Sequence, residues 1–315
     1  MNISLRAKPV LLTLAKMAVT GLIFYVIAKK INISQAMSAP VENKLFLVLA
    51  FVFALLIVFI QAGRWHLLLN YLGIRSDTGK DIKAVWAGHL LNNVLPTSAI
   101  GDVLRSYALR ERGAGRTQWV SALLIEKYFA MTTALAVAGV MVVAGQLGDT
   151  PIEIKMIVLG CLLIGLCAPV ILRLIAILGA NVLPNSLVQF LRSLATSLTG
   201  AVHSRVGLMA LGISFLINVI ICLIFFCIAA AMGLQISAVH CMFIVPVFTI
   251  LAGLPISYGG WGVRELTGIH LLQYYGVPSQ IALSTTFLFG LTIFLSSLPG
   301  VLALPTFRNV LKRKE

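Results

Sequence analysis

The sequence predicts an all-α, polytopic membrane protein built as two inverted repeats, each with three spans and one re-entrant hairpin. Three observations carry this. Hydrophobic residues make up 59% of the 315 positions and charged residues only 11%, where a soluble domain would carry roughly 25% charged residues. Long apolar segments recur along the chain. An eleven-residue pattern, L-P-x-S-x-x-G-x-x-x-R, occurs once in each half.

Six segments are long and apolar enough to span: about 10–28, 45–63, 119–145, 156–178, 207–231 and 280–305. At 1.5 Å of rise per residue each can cross a hydrocarbon core about 30 Å thick. The short alternating segments of a β-barrel are absent. The first segment lies between Arg6, Lys8 and Lys29-Lys30 and lacks a small-x-small cleavage signal, so it reads as an uncleaved span. Residues 82–100 and 238–258 are apolar but interrupted by Pro96, and by Pro246, Pro255 and Gly259-Gly260. They read as hairpins that enter and leave on one side, each followed by a short helix, roughly 101–112 and 261–274. Residues 185–203 carry a leucine stripe at Leu187, Leu191, Leu194 and Leu198. That spacing suits an amphipathic helix in the interface or packed on the bundle.

Lys and Arg total 24 against 10 Asp and Glu, a formal charge of +14. In a membrane protein such an excess collects in cytoplasmic loops, so nucleic acid is not an expected partner. With both termini in the cytoplasm, the six crossings put most basic residues inside, among them Arg75, Lys80, Lys83, Arg110, Arg112, Arg173, Arg192 and Arg205. Three crossings per half then insert the second half upside down. The halves divide at the Gly-Asp-Thr-Pro turn of 148–151, giving repeats 1–148 and 149–315. Inverted repeats place a site near the bilayer midplane and permit alternating access.

The repeated pattern is the candidate site. Its first copy holds Leu95, Pro96, Ser98, Gly101 and Arg105; its second holds Leu254, Pro255, Ser257, Gly260 and Arg264. A helix breaker and a guanidinium are costly at membrane depth, and such costs are usually met at functional sites. Guanidinium stays charged and grips phosphate in a bidentate fork. Gly101 and Gly260 permit close backbone approach. Asp102 and Glu265 stand beside the pattern as partners of the arginines or as proton carriers. Glu126 lies about 10 Å into its span and needs a cation; its neighbour Lys127 points elsewhere on the helix, and Arg105 is a candidate. Asn92 and Asn93 are placed to satisfy backbone freed by the Pro96 break or to bond a headgroup. Tyr258 and Trp261 flank Gly259-Gly260 and suit a lipid or sugar surface or an interface anchor. Arg64-Trp65-His66 closes the second segment and reads as an interface belt.

The five cysteines form no metal-ligand or disulfide spacing and read as buried packing residues. No phosphate-loop motif occurs, so ATP hydrolysis is not expected, and no G-x-S-x-G or H-E-x-x-H motif is present. No cofactor, metal or catalytic residue is assigned.

At these residues the sequence resembles the lysylphosphatidylglycerol synthase transmembrane region, a family of flippase-like integral membrane proteins. Leu91-Asn92-Asn93-Val94-Leu95-Pro96 with Gly101-Asp102-Val103-Leu104-Arg105 is similar to its first signature. Pro255 through Glu265 is similar to its second and more specific one, and the resemblance spans roughly 10–305. It implies movement of phospholipids or lipid-linked saccharides between leaflets of the bacterial cytoplasmic membrane. Some family members carry a lipid-aminoacylating domain; none is read in these 315 residues, so synthase activity is not expected. Ile100 and Lys127 depart from the family pattern, and lysine is the poorer bidentate phosphate ligand.

The expectation is a lipid translocase that binds anionic or phosphate-bearing headgroups and is not an enzyme, with homo-oligomerisation left open. The competing readings are a membrane-embedded lipid or glycosyl transferase and a non-transporting subunit of an envelope-synthesis complex.

Overall fold

The computed structural model describes residues 3–37, 40–97, 99–145, 147–148, 150–179 and 184–307. Among them the only regular elements are α-helices and short 3-10 turns. In chain order the helices are α1 (Ile3–Lys30), α2 (Ile33–Met37), α3 (Lys44–Tyr71), α4 (Thr78–Val94), α5 (Ile100–Tyr107), α6 (Arg116–Val143), α7 (Ile152–Leu178), α8 (Asn185–His203), α9 (Arg205–Ala231), α10 (Ala238–Gly253), α11 (Val263–Gln273) and α12 (Ser279–Ser297). A 3-10 run continues α12 to Phe307.

Five helices are long and apolar enough to cross a membrane: α3, α6, α7, α9 and α12 with its 3-10 continuation to Pro305. The chain is a multi-pass membrane protein. The remaining expected span, 10–28, falls in α1, which is also 28 residues long.

Each segment expected to be broken is a pair of short helices, α4 with α5 and α10 with α11. Their starts lie where polar caps dictate. The Asp77 carboxylate accepts the Lys80 N–H at 2.8 Å, which begins α4 before the apolar run. Both α4 and α10 end on an extended leucine, Leu95 (ψ 160°) and Leu254 (ψ 143°), because the next residue is proline and disfavours helical backbone before it.

The same order of devices occurs twice. A long helix, α3 or α9, ends on a left-handed glycine, Gly73 or Gly233, whose turn carries matching backbone hydrogen bonds. A short helix, a proline break and a second short helix follow. Another left-handed glycine, Gly113 or Gly276, then turns the chain into α6 or α12.

Packing interleaves the two halves. α3 lies along α9 at the centre, where Ala50, Ala54, Ala210 and Ala229 let the backbones approach. α10 packs on α6, while α4 packs on α12 and its 3-10 continuation, so each broken segment rests on a long helix of the other half. Phe225, Phe248 and Phe289 form a ring cluster with centroids 5.4–5.7 Å apart that fixes α10 between α9 and α12. On the other side Trp86 donates to the Ser296 carbonyl at 3.0 Å.

Two expectations are corrected, and one open choice is decided. Arg64 and Trp65 are not an interface belt: α3 runs on to Tyr71, and both side chains are buried inside the bundle. Residues 185–203 form the expected amphipathic helix in its bundle-packed alternative: it packs on α6, α7 and α9, with Val188, Leu194, Ala195 and Leu198 buried and Leu187 exposed. Cys222, Cys227 and Cys241 are buried, whereas Cys161 and Cys167 lie on the outward side of α7, which buries little of itself.

Candidate functional site

The first break is organised by one side chain. Asn92, in the last turn of α4, reaches across the gap to α5. Its carbonyl oxygen accepts the N–H of Gly101 at 2.8 Å and of Asp102 at 3.3 Å, and its amide donates to Asp102 Oδ2 at 3.0 Å. Asn92 therefore supplies the N-terminal cap of α5 that Ala99 cannot. Asn93 turns back and donates to the His89 carbonyl at 2.9 Å. The helices cross tightly at two glycines: a Cβ on Gly101 would stand 2.0 Å from the Gly88 carbonyl oxygen.

This crossing aims α5 at α6. The Glu126 carboxylate bridges two arginines, accepting from Arg105 on one oxygen at 2.5 Å and from Arg64 on the other at 2.8 Å. Arg64 also donates to the Ser214 hydroxyl on α9 at 2.9 Å. Asp102 pairs with Arg105 at 3.1 Å and with Lys127. The Arg105 guanidinium lies over the Trp65 ring, 4.3 Å from its centroid. A cavity of about 150 Å³ opens among Arg64, Arg105, Lys127, Asp102, Glu126 and Asn92. Three cations there face two carboxylates. Nε of Arg64 and Nε of Arg105 are buried and find no partner among the described residues. The excess of one cation over the carboxylates suits an oxyanion, which guanidinium and ammonium groups hold by charge-assisted hydrogen bonds.

The second break is built differently. Tyr258–Gly260 makes one 3-10 turn, with Gly259, Gly260 and Gly262 all at positive φ. Glu265 is fully buried and closes the start of α11: one oxygen accepts the Gly262 N–H at 2.6 Å, the other the Arg264 guanidinium at 2.7 and 2.9 Å. Arg264 lies over Trp261 at 4.4 Å, matching Arg105 over Trp65. Gly290 of α12 makes room for it, since a Cβ there would stand 1.9 Å from the guanidinium. Ser257 is buried with its hydroxyl unpartnered among the described residues. Ser98 lies outside the described residues.

The two breaks meet. The Tyr258 hydroxyl donates to the Val94 carbonyl at 3.0 Å, and Gly259 sits against the Asn93 carbonyl, with room for no more than a strained Cβ. The Tyr258 N–H donates to Thr20 of α1 at 2.8 Å, and Lys16 of α1 donates to Thr97 at 2.7 Å. All candidate residues that the structure describes thus belong to two clusters joined at the breaks.

Sequence reasoning reached Arg105 as the partner of Glu126. It missed Arg64, Trp65 and Ser214. Arg64 carried a usable signal, an arginine with an aromatic neighbour inside a helix pattern that continues through Leu67-Leu68-Leu69. Ser214 carried none.

A family profile described as "Lysylphosphatidylglycerol synthase TM region" matches residues 13–300. A search of curated proteins found no match.

Proposed function

The chain belongs to the lysylphosphatidylglycerol synthase transmembrane-region family, and from that premise we propose that it carries phosphate-bearing lipid headgroups between leaflets without hydrolysing ATP. One observation carries the reading above the others. Two arginines and a lysine, set against only two carboxylates, line a small cavity. A lipid phosphate supplies the missing negative charge.

The repeated order of helices and turns supports an inverted duplication. The packing pairs correspond under exchange of halves: α10 on α6 with α4 on α12, α5 on α6 with α11 on α12, and α3 on α9 with itself. In this reading α4–α5 enters the bilayer from the cytoplasm and α10–α11 from outside, with both termini in the cytoplasm of a bacterium. Arg105 then serves one side and Arg264 the other. Glu126 and Glu265 hold each guanidinium while the headgroup is elsewhere. The first cluster is the one poised for a ligand, because Lys127 is 41% exposed and gives it an outlet. The second is a neutral, closed Arg–Glu pair.

The test is reconstitution into sealed vesicles with a fluorescent phosphatidylglycerol, following the fraction of label that a membrane-impermeant quencher reaches. Translocation above that of protein-free vesicles, lost in the Arg105→Ala, Arg264→Ala double variant, supports the reading. Equal rates in wild type and double variant overturn the site assignment. Product formed from a radiolabelled donor lipid would instead favour a transferase.

A further inference from the structure

α8 covers a second space, one helix turn along α6 from the cluster around Arg105. Along α6 and α8 a polar cleft and an apolar one follow in succession. The polar cleft, about 440 Å³, is lined by Arg116 and Thr117 of α6 and by Ser186, Gln189, Phe190 and Ser193 of α8. One turn further along each helix, Ser121 follows Thr117 and Leu194 follows Phe190, and the apolar cavity begins. It is about 350 Å³ and is walled by Leu124 and Tyr128 of α6, Ala168, Ile171 and Ile175 of α7, and Leu198 of α8. Arg116 lies over the Phe190 ring at 6.0 Å and pairs with no carboxylate among the described residues. Ser121, at the junction, is 1% exposed, and its hydroxyl has no hydrogen-bond partner among the described residues.

We infer that this composite cleft holds one phospholipid as a resident ligand. Its phosphate sits at Arg116, an ester carbonyl accepts from Ser121, and one acyl chain fills the cavity between α6 and α7. The order of chemistry along the cleft is cation and hydroxyls, a single buried donor, then hydrocarbon. That is the order of groups along a glycerophospholipid. A free phosphate would leave the apolar cavity and Ser121 unserved, and a fatty alcohol would leave Arg116 unserved. The site does not depend on translocation. It does touch the candidate transport site through one helix turn, because Ile125 and Tyr128 line the cavity while Glu126 and Lys127 between them line the cluster around Arg105.

The experiment uses the full chain in detergent with a phosphatidylglycerol that carries a photoactivatable diazirine near an acyl terminus. Labelled peptides are mapped by mass spectrometry in wild type, Arg116→Gln and Ala168→Phe, and helix content and melting temperature check that each variant folds. The expected result is labelling concentrated on 164–175 and 194–198. Unlabelled phosphatidylglycerol should compete and glycerol phosphate should not. Each variant should reduce labelling about tenfold, the loss expected for one charge-assisted hydrogen bond or for a filled cavity. If Ala168→Phe does not fold, Ile171→Trp replaces it. Labelling spread over all outward positions of α7 and unchanged by the variants marks annular lipid only and overturns the inference. Competition by glycerol phosphate alone also overturns it, because the site would then be an anion site without a tail.

Discussion

The hydroxyl of Tyr258 donates to the backbone carbonyl of Val94 across 3.0 Å, binding the second proline break directly to the first. Val94 is the last residue of α4, so its carbonyl is one of those a helix end leaves without an intrahelical donor. One phenol therefore satisfies a freed carbonyl and couples two breaks that must act in relation to each other if headgroups pass between them. Tyr258→Phe keeps the ring and removes the bond. The expected cost is about 1 kcal/mol of stability, read as a lowered melting temperature in detergent, with a larger change in vesicle translocation rate than that cost alone would give. An unchanged rate would leave the contact a structural tie only.

The Glu126 bridge gives the sharpest energetic prediction. Removing one member of a buried charge pair costs about 3–5 kcal/mol, because the remaining charge is left uncompensated. Glu126→Gln leaves Arg64 without a carboxylate, while Arg105 keeps Asp102, and should destabilise the chain by about the lower figure. Arg64→Gln added to it restores part of the loss by removing one stranded cation. A double-mutant cycle on melting temperature measures this. Additive losses would mean that Arg64 and Glu126 do not interact as their 2.8 Å contact implies.

The break, the arginines and the acidic partners were legible because each is expensive in hydrocarbon, and expense leaves a mark on sequence. Pro96 and Arg105 stand out from their surroundings whatever the fold. Arg64 and Trp65 did not, since an arginine and an indole at a span end also describe an ordinary interface belt. Only the continuation of α3 to Tyr71, and the packing of α3 against α9, turn them inward. Ser214 was invisible for a plainer reason: a serine within an apolar helix commonly bonds its own backbone, and this one does so at 2.7 Å to Ala210 as well as accepting from Arg64. The helix at 185–203 was legible as amphipathic, but a leucine stripe does not say whether lipid or protein covers it.

Arg105→Lys separates charge from geometry. Lysine keeps the positive charge but loses the planar guanidinium whose Nη2 donates to both Asp102 and Glu126, and its flat face over Trp65. Translocation of phosphatidylglycerol should fall about tenfold, the equivalent of one charge-assisted hydrogen bond, with helix content retained by circular dichroism. Arg264→Lys should behave alike, since Arg264 has the same pairing with a carboxylate and an indole. A full rate in either lysine variant would show that a point charge is enough there.

Glycine substitutions test the crossing that aims Arg105. At Gly101 a methyl group would stand 2.0 Å from the Gly88 carbonyl oxygen and 2.8 Å from Asn92 Oδ1. Backbone faces backbone there, so no side chain can swing aside, and α4 and α5 must separate. Separation breaks the Asn92 bonds to Gly101 and Asp102 and shifts Arg105 from Glu126. Gly101→Ala should therefore lower the melting temperature sharply and abolish translocation. Gly21→Ala, on α1 with open space around its Cβ, should leave both unchanged. If Gly101→Ala folds and transports as well as Gly21→Ala does, the tight crossing of α4 and α5 does not exist in the membrane, and the placement of Arg105 that depends on it is wrong.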